Sequence, residues 1–88
     1  MDVVLKVSSN SRPNLVAGAL IGAIKESGRA ELQSIGAGAL NQAIKAVAIT
    51  RNTFLAQSGV DLICVPSFVD ITIDDQVRTS IKLVVEPR

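Results

Sequence analysis

The amino-acid sequence predicts an α+β fold with the element order β-α-β-α-β-β. In this fold, two helices cover one face of a mixed four-stranded sheet, as a two-layer sandwich. Short β-branched runs precede two helical segments, proline or glycine bounds those segments, and the last third of the chain reads as a long β-hairpin. A length of 88 residues predicts one domain over residues 1–88.

The first strand and the first helix have clear boundaries. Residues 3–8 (VVLKVS) are predicted as a strand because the run is short and rich in β-branched side chains. A helix is predicted over residues 13–27, since Pro13 suits the first helical position and Gly28 suits the left-handed position after the last turn.

The first helix is unusually apolar. Residues 15–24 carry no charge, and apolar side chains surround the helix almost completely. Such a helix is expected to be covered on more than one side, by the second helix or by another subunit. Gly18 and Gly22 lie four residues apart and favour close approach of a neighbouring backbone, with packing inside the chain as the preferred interpretation.

A second strand, a glycine turn and a longer helix follow. We predict the strand over residues 31–35, the turn at 36–38 and the helix over about 39–55. The helical period predicts that one face is buried, and that face holds Leu40, Ala43, Ile44, Val47, Ala48 and Phe54.

Two residues of this helix depart from the pattern. Ile49 is expected to point outwards, which is a weak indication of a contact surface. Arg51 falls within the apolar sector, where the helix dipole and a side chain extended past its apolar neighbours are expected to accommodate it.

The rest of the chain predicts a hairpin. Asp74 and Asp75 are expected to form the turn between arms at residues 69–73 and 77–85. Pro66 lies ahead of the first arm and favours an edge strand or a bulge, because proline cannot donate to a sheet ladder.

Composition limits the core and the possible partners. Hydrophobic residues make up 48% and aromatic residues 2%, so we expect a core of Val, Ile, Leu and Ala in which Phe54 and Phe68 are the only rings. A net charge of +1 excludes a protein held on nucleic acid by bulk charge, although a local basic patch remains possible.

Cys64 is expected to be a buried strand thiol. The start lacks the features of a signal peptide, so a cytoplasmic location is expected.

The sequence predicts no enzyme. It contains no histidine, and its acidic residues are scattered, so we find no catalytic residue, no metal site and no cofactor motif. Asp61 and Asp70 flank strands and are expected to be solvated.

The glycine loop leaves several interpretations open. Strand, glycine loop and helix form the arrangement that presents backbone N–H groups to a phosphate, here those of residues 38–40. As a dinucleotide motif the signal is weak, because Asn41 replaces the third glycine, and the lysine and hydroxyl residue of a P-loop are absent. A tight turn without binding is an equally good explanation.

The whole chain resembles the stage V sporulation protein S family. The resemblance rests on LKVSSNSRPNLVAGAL, IGAGALNQAIKAVAITR, SGVDLICVPSF and the final TSIKLVVEPR. Members occur in spore-forming bacteria and in bacteria that form no spores, so the resemblance implies a bacterial protein without implying sporulation.

A more remote similarity to Alba-type chromatin proteins suggests a mechanism. GALIGAIKESGRAEL, NQAIKAVAITRNTFL and the hairpin are similar to that family in order and spacing. The similarity implies an Alba-like fold, a homodimer, and DNA or RNA contacts from the loops before both helices and from the hairpin. The positions it implies here are Lys6, Arg12, Gly36, Gly38, Asn41, Gln42, Lys45 and Arg78. Gly36, Ala37 and Gly38 stand where Alba-type proteins carry several basic residues.

Two functional hypotheses follow. The first is a small, non-enzymatic, regulatory nucleic-acid-binding protein that contacts phosphates through the glycine loop and a few basic residues. The alternative is a protein–protein interaction module in a developmental or cell-division pathway, with an unidentified protein partner and no direct nucleic-acid binding.

Overall fold

The computed structural model describes residues 2–88 and has the predicted architecture. Its sheet has the strand order β1-β2-β4-β3, in which β1 and β2 are parallel and the other neighbours are antiparallel. The elements are β1 (Val3–Val7), α1 (Pro13–Ser27), β2 (Ala30–Ser34), α2 (Ala37–Ser58), β3 (Leu62–Ile73) and β4 (Gln76–Pro87). The predicted α+β fold is therefore confirmed.

Helix α1 begins and ends where the sequence predicts. Arg12 precedes it in an extended conformation, and Pro13 occupies the first turn, where a missing N–H costs nothing. Gly28 ends the helix at φ 86°, and its N–H donates to the carbonyl oxygen of Ile24 at 2.8 Å. This left-handed position favours glycine because a Cβ atom is strained there.

Helix α2 is longer than predicted at both ends. It begins at Ala37, so Ala37 and Gly38 belong to its first turn rather than to a separate turn. Gly36 alone makes the corner, at φ 88° and ψ 159°. At the other end the helix continues to Ser58, because the first left-handed position is Gly59, at φ 71°.

Strands β3 and β4 form a long hairpin with continuous pairing from Leu62–Pro87 to Ile73–Gln76. Asp74 and Asp75 have φ angles of 50° and 62°, and this pair of positive values is typical of the two-residue turns that fit twisted hairpins. The predicted turn is confirmed. Pro66 lies on β3, which is an edge strand, as one of its two interpretations predicted.

Only part of this hairpin belongs to the four-stranded sheet. Strand β2 pairs with β4 from Ala30–Val85 to Ser34–Ile81 and then ends. Residues 69–80 therefore extend beyond β2, and we call them the hairpin arm. Ser80 fastens the arm to the sheet, since its buried hydroxyl donates to the carbonyl oxygen of Ser34 at 3.1 Å.

The core lies between one face of the sheet and the two helices. Leu20 of α1, Leu32 of β2 and Val85 of β4 are almost completely buried there. The opposite face of the sheet, which we call the open face, carries the alternate residues. Lys6, Gln33 and Lys82 lie in register across it.

The buried face of α2 agrees with the predicted one in part, since Ala43 is buried and Leu40, Val47 and Phe54 pack against the core. Ala39, Ala43, Ala46 and Thr50 are buried, whereas Ile44 is 46% exposed and Ala48 is exposed. Small side chains let α2 approach α1 closely, so the helix turns its alanine face inwards. Thr50 fits this face because its hydroxyl donates to the carbonyl oxygen of Ala46 at 2.8 Å.

Three further expectations about surfaces are wrong. Phe68 is 78% exposed, because it lies near the hairpin arm, beyond the cover of the helices. Ile49 is half-buried rather than outward-pointing, as the rotation of α2 requires. Gly18 and Gly22 are exposed, and a Cβ atom added at either would meet no other atom within 4 Å, so neither mediates packing within the chain.

Cys64 lies in β3 and is half-buried rather than fully buried, and burial raises the pKa of its thiol.

Over residues 2–88, neither helix combines the length and apolar character needed to cross a membrane.

Candidate nucleic-acid interface

The fold places both helix N-termini at one end of the molecule. Since β1 and β2 are parallel, both finish at the same edge of the sheet, and α1 and α2 begin just beyond it. The hairpin arm extends past the same edge, because β4 passes the end of β2 at Ile81. We call this region the loop end. It comprises residues 8–12, residues 35–38 and the hairpin arm.

The two loops of this end are in direct contact. An added Cβ atom at Gly38 would lie 3.1 Å from Cβ of Ser9, closer than side chains normally pack. The side-chain amide of Gln42 donates to the carbonyl oxygen of Ser11 at 3.0 Å. Gln42, one of the predicted contact residues, thus holds the first loop against α2.

Both glycines of the loop have structural roles. Gly36 adopts a backbone conformation that strains other residues, and Gly38 makes room for Ser9. The carbonyl oxygen of Gly36 accepts the N–H of Leu40 at 3.1 Å, and no side chain caps α2. The N–H of Leu40 is therefore engaged, whereas the preceding N–H groups of the first turn are of the kind that anions satisfy at helix starts.

The other predicted contact residues are exposed at or near the loop end. Lys6 lies on the open face near the end of β1, and Arg12 directly precedes α1 without a capping hydrogen bond from its side chain. Asn41 lies near the start of α2, and Lys45 follows one turn later. Arg78 lies on the hairpin arm, paired across the strands with Ile71.

Ion pairs gather at the opposite end of the molecule. Arg29 lies 2.9 Å from a carboxylate oxygen of Asp2 and 3.8 Å from one of Glu86, where β2 begins and β4 ends. The hydrogen bond from Arg29 lowers the pKa of Asp2. On the open face, Lys82 Nζ lies 3.8 Å from Glu31.

Asp61 organises a second charged cluster at this opposite end, against the expectation that it is merely solvated. Its carboxylate accepts from Arg51 Nε at 2.6 Å, from Arg88 Nη1 at 3.2 Å and from the N–H of Leu62 at 2.9 Å. The hydrogen bond from Arg51 is the main reason that the pKa of Asp61 lies below its usual value. Arg51 is thus exposed and paired with Asp61 rather than enclosed in the apolar sector where the helical pattern placed it.

The remaining basic residues form no ion pair within residues 2–88. They are Lys6, Arg12, Lys25, Lys45 and Arg78. Four of them are the basic residues predicted for the interface, and only Lys25, near the end of α1, lies away from it. Lys6, Arg12 and Lys45 thus lie unpaired around two loops that contain no carboxylate, next to two helix N-termini whose dipoles have the same sign. Arg78 is also unpaired, but it shares the hairpin arm with Asp70, Asp74 and Asp75.

The sequence alone did not indicate Ser9, Ser11 or the arm residues Ile71, Ile73 and Ser80, which also shape this end. Their roles depend on contacts between distant segments, and no local motif marks them. Across residues 2–88 there is no cluster of three or more Cys, Asp or Glu side chains arranged to hold a metal ion.

A comparison with protein families agrees with the resemblance noted from the sequence. The family model described as Stage V sporulation protein S (SpoVS) matches residues 3–88. The match includes both loops of the loop end, both helices and the complete hairpin. The chain belongs to the Stage V sporulation protein S family.

Proposed function

We propose that this member of the family is a small, non-enzymatic, regulatory nucleic-acid-binding protein that acts through its loop end. Phosphates would be contacted by the side chains of Lys6, Arg12, Lys45 and Arg78. Asn41 and the free N–H groups at the start of α2 would add hydrogen bonds.

The separation of charge is the observation that supports this proposal. Arg29, Arg51, Lys82 and Arg88 are engaged by carboxylates. Lys6, Arg12, Lys45 and Arg78 form no ion pair within residues 2–88, so their positive charge remains available to a polyanion. Asp70, Asp74 and Asp75 lower the net charge of the arm, so the two loops carry the main attraction. No acidic residue occurs in the sequence between Asp2 and Glu26 or between Glu31 and Asp61, so both loops are free of carboxylates.

Few phosphates would be engaged, because the charge is local. Binding through four cations predicts that log K falls with log salt concentration with a slope of about −3 to −4 on duplex DNA. Fluorescence anisotropy with a labelled duplex and a labelled single-stranded RNA over a salt series measures this slope. A lack of binding to both nucleic acids even at low salt would refute the proposal.

A homodimer is part of the proposal. The outward face of α1 consists of Leu15, Gly18, Ala19 and Gly22, all exposed, and Leu15 is 67% exposed. An apolar face of small residues allows two helices to approach closely, so a second copy of the chain is the partner that we expect there. Two copies would also place two loop ends on one nucleic acid.

A second candidate function is an interaction module for another protein. It is favoured by Phe68 and Val77, which are 78% and 69% exposed on the hairpin. Affinity capture with and without nuclease treatment separates the two candidates. A partner that survives nuclease and is lost in the Phe68→Ser variant would support this second function.

A further inference from the structure

The loop end contains a cavity of about 370 Å³, and of the charged residues proposed for the interface only Lys6 is among those that line it. It lies between the ends of β1 and β2 on one side and the hairpin arm on the other. Volumes of about 300–1,000 Å³ are typical of pockets that hold a small organic group. The residues that bear on its chemistry are Lys6, Ser9, Gln33, Ile35, Ile71 and Ile73.

The cavity is lined by apolar side chains and by a few polar groups. Ile35, at the end of β2, and Ile71 and Ile73, on the arm, supply apolar walls. Polar groups from Ser9 and Gln33 also line it. The amide nitrogen of Gln33 donates to Glu31 at 2.9 Å, which leaves its amide oxygen to accept another hydrogen bond.

Charge at the cavity is positive. Among residues 2–88, Lys6 is the only charged residue that lines it, and no carboxylate does. Lys6 forms no ion pair with any residue from 2 to 88. Asp74 and Asp75 lie in the adjacent turn at the tip of the arm, so an anionic group is favoured on the Lys6 side.

We propose that the cavity receives one unpaired base of a single-stranded nucleic acid and that the phosphate of this nucleotide contacts Lys6. This proposal rests on the proposed function. An apolar slot with a few hydrogen-bonding groups can hold a planar base and contact its edge. The isoleucines take the place of the aromatic rings that are absent from the described lining of this cavity. A duplex cannot deliver a base to this cavity without unstacking it, so the site distinguishes single strands from duplexes.

The test compares one labelled DNA strand of about twelve nucleotides with the same strand annealed to its complement, by anisotropy at one salt concentration. We expect the single strand to bind about tenfold more tightly. Ile73→Trp, which fills the cavity, is expected to remove most of that preference and to leave duplex binding unchanged. Val65→Trp is the matched control, because Val65 is exposed on the same strand as Ile73 but lies outside the arm and the cavity, and it is expected to change neither affinity.

Amide chemical-shift mapping of the unmodified chain makes the test independent of how the variants fold. With the single strand, shifts are expected at Gln33, Ile71 and Ile73 in addition to the loops. Equal affinities for both DNA forms, or shifts confined to residues 8–12 and 35–45, would overturn the cavity proposal while leaving the proposed function intact. Absence of binding to either DNA form and to RNA would overturn both.

Discussion

At the scale of single residues, burial rather than hydrophobicity decides what a side chain contributes. Leu20 of α1 is fully buried between the helices and the sheet, whereas Leu55 of α2 is 37% exposed. Leu20→Ala is expected to lower the free energy of unfolding by about 2–5 kcal/mol, because it removes apolar contacts and leaves a cavity. Leu55→Ala is expected to stay within about 1 kcal/mol of the unmodified chain. Urea unfolding followed by circular dichroism measures both, and equal effects would contradict this account of the core.

Asp61 gives the molecule a pH-dependent contribution to stability. Its pKa is lower in the folded chain than the usual value of about 3.9, chiefly because Arg51 donates to the carboxylate. The stabilisation is therefore complete above pH 4 and is lost as the pH falls through the lower folded-state pKa. Asp61→Asn is expected to lower Tm at pH 7 and to flatten the decline of Tm below pH 4.

Thermal unfolding between pH 7 and pH 2 checks this prediction. Glu26→Gln is the matched control, because Glu26 is exposed and forms no ion pair in the part of the chain that the structure describes. The expected role of Asp61 would be contradicted if the Asn variant and the unmodified chain lost stability in parallel over this range.

At the scale of elements, the corner before α2 depends on Gly36. Its backbone has φ 88° and ψ 159°, a region that is essentially closed to residues with a side chain. Gly36→Ala is expected to destabilise the chain by about 1–3 kcal/mol. Gly18→Ala is expected to stabilise a monomer by up to about 1 kcal/mol, since the site is helical and open. Urea unfolding of both variants measures these two changes in the free energy of unfolding. An unchanged free energy of unfolding in Gly36→Ala would show that the corner has another conformation.

The boundaries of the helices and of the hairpin turn were more predictable from sequence than the helix faces that are buried. Pro13, Gly28 and the Asp74–Asp75 pair mark boundaries through local backbone preferences, so the sequence alone identified α1 and the hairpin turn. The buried face of α2 was predicted only in part: Ile44 and Ala48 are exposed, because the neighbouring helix selects a face centred on alanine. Ion pairing likewise depends on contacts between distant segments and could not be predicted from local sequence. The resemblance to Alba-type proteins indicated Lys6, Arg12, Lys45 and Arg78, but only the fold shows that the other cations, apart from Lys25, are engaged by carboxylates.

At the scale of the whole molecule, the exposed face of α1 makes assembly testable. A homodimer through Leu15 and Ala19 predicts a mass twice the 9.2 kDa of one chain at micromolar concentration in sedimentation equilibrium. Leu15→Glu is expected to give the monomer mass, while Val77→Glu, on the hairpin, leaves the dimer intact. A mass of one chain for the unmodified protein at about 100 μM would exclude this assembly.

The most direct test of the central claim removes charge at the two ends of the molecule and measures the salt dependence of nucleic-acid binding. Lys45→Ala combined with Arg78→Ala is expected to flatten the log–log slope by about 1.4–1.8, since each lost phosphate contact removes about 0.7–0.9. Lys25→Ala removes an unpaired lysine from the last turn of α1 and is expected to leave the slope unchanged. An equal decrease of the slope in the Lys25→Ala variant and in the double variant would contradict the claim that the loop end binds nucleic acid. An unchanged slope in the double variant would contradict it as well.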